Sequence, residues 1–90
     1  MNTEQFLQLL DREGFPKPAE VHQPPNGSLG VHTHPFAVKA LVIAGQIEIV
    51  FNEISTVYSA GDVFQLEFEQ PHSESYGSAG VCYLASRKTK

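Results

Sequence analysis

A single cysteine, Cys82, leaves no partner for an internal disulfide and no thiolate pair for a structural zinc site. A reducing, cytoplasmic setting is therefore expected. Basic residues are also few: six Lys and Arg against ten Asp and Glu give a formal net charge of −4. That balance argues against the basic footprint that binding to a phosphate backbone requires, so nucleic acid is not an expected partner. The longest apolar run, Ala40 to Ala44, is far too short to cross a bilayer. The opening MNTEQFLQLL has neither a basic leader region nor a cleavage site after an apolar run. No membrane contact is expected. Internal repeats, linkers and low-complexity segments are absent as well.

What the chain does have is enough apolar sequence for a core, with 41% hydrophobic and 18% charged residues over 90 positions. Its length fits one domain spanning 1–90, with a helix and connection over 1–17 and a β-unit over 18–87. A domain of this size buries only about 60 to 65% of its unfolded surface, so a metal or a second subunit would add usefully to its stability. A homodimer is the expected assembly.

Asn2 or Thr3 can cap a helix whose apolar residues Phe6, Leu9 and Leu10 recur at helical spacing, with Gly14 placed to end it. From Pro18 onward the pattern becomes extended. VHQ, SLGVHTH, AVKALVIA, QIEIVF, ISTVYS, DVFQL, HSESY and VCYLAS are short β-type segments, and QIEIVF alternates cleanly. Their boundaries are PPNG, Ala44-Gly45, Asn52-Glu53, Ser59-Ala60-Gly61, Glu69-Gln70-Pro71 and GSAG. About eight strands with short connections predict an all-β, closed or two-sheet antiparallel barrel preceded by a short helix. Arg87-Lys88-Thr89-Lys90 reads as a solvated terminus.

Chemistry concentrates in the histidines. In a strand, residues i and i+2 share a face, so His32 and His34 of the HTH triplet can reach one ion. The bland alternative is two polar residues on a solvated face. His72 begins a later strand that a barrel could return to the same interior.

These residues carry a family resemblance. NGSLGVHTHPFAVKALVIAG, from Asn26 to Gly45, resembles the first motif of the cupins: a turn segment, H-x-H, a glutamate three or four residues later, then a glycine. Val38 stands at the glutamate position and Gly45 at the glycine position. GDVFQLEFEQPH, from Gly61 to His72, is similar in spacing to the second motif, G-x5-P-x-G-x2-H. Glu67 replaces its proline and Glu69 its second glycine. The resemblance implies a double-stranded β-helix, or jelly-roll barrel. It also implies that His32, His34 and His72 are metal ligands, the family's glutamate ligand being absent because Val38 occupies its place.

Three neutral imidazoles suit zinc, copper, iron and nickel and leave positions open for a ligand, and iron, nickel, zinc or manganese are the candidate ions. One divalent transition metal is the expected cofactor. Without a carboxylate ligand the ion keeps its full charge, which favours a small anionic or oxygen-donor molecule as partner. Glu74 and Tyr76 follow His72 at two-residue intervals and are the candidate catalytic residues, as base or outer ligand and as pocket lining. Phe36 is a candidate roof and Val38 an apolar floor. Lys39 falls on the opposite face among Leu41 and Ile43, where snorkelling to solvent is favoured over pairing across a dimer. Cys82 reads as buried and inert, Glu67 and Glu69 as solvated loop charges, and His22 as outside the site. Three functions follow: a metal-dependent enzyme, dioxygenase- or isomerase-like; a binding and sensing module without turnover; or a storage or structural role with the trio empty.

Overall fold

The computed structural model describes residues 1–89. In chain order the elements are α1 (Thr3–Arg12), β1 (Ala19–Gln23), β2 (Ser28–His32), β3 (Ala37–Phe51), β4 (Ile54–Ser59), β5 (Val63–Leu66) and β6 (His72–Lys88). Among the described residues no helix is long and apolar enough to cross a membrane.

Helix α1 is closed at both ends by its own sequence. The Asn2 side chain accepts from the Gln5 N–H at 2.8 Å while the Gln5 side chain accepts from the Asn2 N–H at 3.0 Å, a reciprocal cap. At the other end Gly14 N–H donates to the Asp11 carbonyl and Phe15 N–H to the Leu10 carbonyl, the paired bonds of a Schellman stop. Phe6 and Leu10 are buried against Leu41 of β3, with Phe15 and Leu84 packed around them. Each such side chain contributes roughly 1.5 to 3 kcal/mol of burial. β3 is consequently buried on both faces from Val38 to Val42.

Lys39 lies under this helix. It is 6% exposed and ion-paired with Glu13 of the same chain, with the Phe15 ring 5.7 Å from its ammonium. The charge neither snorkels to solvent nor waits for a partner across a dimer. The pair forms because the Schellman turn brings Glu13 over the sheet face that carries Lys39.

A closed barrel of about eight strands is corrected by the structure. Six strands form one antiparallel sheet in the order β1-β6-β3-β4, with β2 also on β6 and β5 also on β3. The path ends on β1 and β4 and does not close into a barrel. The count falls because AVKALVIA and QIEIVF are one strand, β3, and HSESY and VCYLAS are one strand, β6. Ala44-Gly45 is a bulge rather than a turn: the β3–β6 register shifts between Val42 and Ala44 and again between Gly45 and Ile47. Gly45 (φ +77) and Gly80 (φ +72) meet at this crossing, where a Cβ on Gly45 would lie 2.1 Å from the Gly80 oxygen. Two glycines let the strands pass in close approach and continue. Asn52-Glu53, by contrast, is a true two-residue hairpin turn with both φ values positive.

The long strands serve two sets of neighbours. β1 and β5 pair with the C-terminal part of β6 and the N-terminal part of β3, whereas β2 and β4 pair with the remaining parts. Apolar residues from both sets, among them Val42, Ile47, Phe64, Tyr76 and Tyr83, form one core cluster. The histidines stand at its edge.

Candidate metal centre

His32 is the last residue of β2 and His72 the first of β6, and the register sets them opposite each other. His34 lies beyond the end of β2, so the HTH triplet is not an i, i+2 pair within one strand. It reaches the other two from the connection to β3, where its carbonyl accepts from the Glu69 N–H at 2.9 Å. Glu69 holds φ +59. A left-handed backbone, which a glycine adopts without strain, therefore stands at the motif's second glycine position.

The three rings form a compact cluster. Centroid separations are 4.3 Å for His32–His72, 4.9 Å for His32–His34 and 5.3 Å for His34–His72. One ring nitrogen from each falls within 4.8 Å of the others. His72 is buried and the other two are half-buried.

Their second nitrogens define the tautomers. His32 Nδ1 lies 2.7 Å from the Gly30 carbonyl and His72 Nδ1 2.9 Å from the Gln70 carbonyl. A carbonyl oxygen can only accept, so each Nδ1 carries a proton, and in the neutral ring each Nε2 then presents a lone pair. Both Nε2 atoms are buried without a hydrogen-bond partner. Leaving two buried acceptors unpaired is unfavourable unless something else satisfies them, and this arrangement fits a cation. For His34, burial first, then the nearby His32 and His72, holds the imidazole below the ordinary histidine value, with Glu74 opposing and Arg87 adding to the effect.

Beside the rings is a cavity of about 160 Å³. Val38 and Phe36 line it, as the sequence predicts, with Phe36 stacked on His34 at 5.1 Å. Glu74 lines it too and is the one carboxylate there among the described residues. Tyr76 belongs to the core instead, and its hydroxyl donates to Glu74 Oε1 at 3.1 Å. Burial and that carboxylate push the Tyr76 phenol well above its ordinary value. A larger cleft of about 560 Å³ flanks α1 and another of about 330 Å³ lies beyond its C-terminal end, but no histidine lines either.

Two features escaped the sequence reading. Arg87 is exposed, as a solvated residue is, yet it also pairs with Val38 across β3–β6, lines the cavity and sits 5.0 Å over the Phe36 ring. The alternation Val81, Tyr83, Ala85, Arg87 would have placed it on the core face. Cys82 is half-buried, not buried, and stands opposite His22 with its Sγ 3.8 Å from Nε2.

No family model matches the chain, and no curated protein matches it significantly. Solved structures do. The cupin domain of Schizosaccharomyces pombe Cnp3 superposes with a TM-score of 0.70 at 19% identity, over 83% of this chain and 55% of that one. An RmlC-like cupin from Shewanella frigidimarina gives 0.67 at 16%, over 81% and 66%. A structure described as a predicted oxalate decarboxylase from Thermotoga maritima gives 0.68 at 19%, over 100% and 76%. The chain therefore has the cupin fold, as the two motifs imply. It spans only 55% and 66% of the first two structures' lengths, and at these identities the likeness is one of fold.

Proposed function

We propose that the chain binds one divalent transition metal through His32, His34 and His72 and presents it to a small anionic, oxygen-donor ligand in the adjoining cavity. The observation that carries this reading is the pair of buried, unpartnered Nε2 atoms on His32 and His72. When bound, such an ion supplies Lewis acidity toward an oxygen donor.

The chain's own residues set the limits. A cavity of about 160 Å³ is smaller than the roughly 300 to 1,000 Å³ of sites for drug-sized molecules, so the ligand has only a few heavy atoms. Arg87 at the cavity wall pairs with a carboxylate or other oxyanion. Val38 and Phe36 give the wall apolar surface. Glu74 is the group placed to hold or release a proton, and the Tyr76 hydroxyl orients it.

A second reading, binding without turnover, draws on the same wall. Its single carboxylate, Glu74, is already engaged by Tyr76, and Val38 stands where a fourth ligand would be. Metal analysis in a Cys82→Ser background tests the common part of both readings. About one transition metal per chain, lost in His32→Ala, supports it; protein that stays metal-free and cannot be reloaded contradicts it.

A further inference from the structure

A second cluster of donor atoms lies on the opposite face of the β1–β6 pair. Val21 and Tyr83 pair across these strands and both line the histidine cavity. Their neighbours His22 and Cys82, which also pair, therefore project to the other side. Glu20 is two residues from His22 on β1 and shares its face. Glu20 and His22 are exposed, with side chains 61% and 67% accessible.

The three donors converge on one point. Glu20 Oε2 is 2.6 Å from His22 Nε2, Cys82 Sγ is 3.8 Å from that same nitrogen, and all three donors lie within 4.8 Å of one another. Convergence on a single nitrogen separates two chemistries. A nucleophile relay needs the carboxylate on one ring nitrogen and the sulfur on the other. Here both meet Nε2, the carboxylate in a 2.6 Å hydrogen bond with the ring, so no relay forms and the donors gather at one point where a shared cation takes the place of the ring proton.

The spacing suits one as well. In tetrahedral zinc, bonds of about 2.3 Å to sulfur and 2.0 to 2.1 Å to nitrogen put those atoms about 3.6 Å apart. The observed sulfur–nitrogen separation is 3.8 Å. The carboxylate must draw back from the ring, which an exposed Glu side chain does freely. Cysteine, histidine and carboxylate together form a zinc-type donor set.

We propose that Glu20, His22 and Cys82 form a second, surface site for a zinc-class divalent ion, independent of the histidine trio. Three protein ligands leave the fourth position open to water. The Cys82 thiol releases its proton to solvent as the metal–sulfur bond forms.

Cobalt(II) titration of the reduced, metal-free protein distinguishes this site from the other, because only a thiolate ligand gives a near-ultraviolet sulfur-to-cobalt charge-transfer band. The band should appear in wild type and in His72→Ala, disappear in Cys82→Ser, and be displaced by zinc. His22→Ala and Glu20→Gln, both on exposed side chains, should each weaken cobalt binding at this band at least tenfold. No band in folded wild-type protein at millimolar cobalt would overturn the proposal. So would a band that survives both His22→Ala and Glu20→Gln at full strength, which would mean a lone thiolate, or one that vanishes in His72→Ala.

Discussion

His32 and His72 face each other across the β2–β6 pairing with ring centroids 4.3 Å apart, each ring tied through Nδ1 to the backbone carbonyl two residues before it. The same local device at two places in the chain turns both Nε2 lone pairs to one use. Backbone carbonyls hold the rings, so the site is preorganised without any acidic second partner.

Acidification should weaken both metal binding and the apoprotein. Burial and the neighbouring histidines hold the folded His34 pKa below the ordinary 6.5. In the window between the two values the unfolded chain binds more protons, so stability rises with pH there and is lost as pH falls below about 6.5. Thermal melts of metal-free protein between pH 8 and pH 5 check this. The midpoint should drop below about pH 6.5 and the drop should shrink in His34→Gln; an equal drop in both would assign it elsewhere.

Val38→Glu should tighten metal binding at least tenfold. Val38 is 8% exposed and lines the cavity with His32 and His34, so a carboxylate there enters the ligand set. Arg87, its cross-strand neighbour, limits the penalty of burying that charge when metal is absent. Chelator competition measures the gain. An unchanged affinity in a folded variant would mean that the new side chain does not reach the ion.

Glu13→Gln should destabilise the fold more than Lys39→Met. The first leaves a buried ammonium without its counter-charge; the second removes that charge and leaves a carboxylate that is 40% accessible to water. A loss of about 1 to 2 kcal/mol is expected for Glu13→Gln, moderated by that exposure. Urea denaturation of the two variants orders them, and the reverse order would show that the pair does not determine the stability of this face.

Much of this architecture is written locally. Asn2, Phe6, Leu10 and Gly14 declare α1 by cap, period and stop, and ISTVYS is β4 residue for residue. The trio is legible because motif spacing survives where motif residues do not: Glu69 holds a positive φ at the motif's glycine position and His72 stays in place. Strand number is not legible in the same way. A glycine that ends a strand and one that lets two strands cross look alike in one dimension, and only the Gly45–Gly80 approach tells them apart. The contacts of Lys39, Arg87 and Cys82 are not legible because their partners, Glu13, Phe36 and His22, lie 26, 51 and 60 residues away in the chain. Side-chain pairing at that separation follows from sheet register, which the local pattern does not contain.

Long-range proton–nitrogen spectra of the histidine rings address the Nε2 assignment most directly. In metal-free protein His32 and His72 should both be Nδ1–H tautomers, and one equivalent of zinc in a Cys82→Ser background should shift their Nε2 signals while each Nδ1 keeps its proton. Nε2–H tautomers in the metal-free state, or zinc that moves the Nδ1 signals or neither nitrogen, would contradict the assignment of these atoms as the metal's ligands.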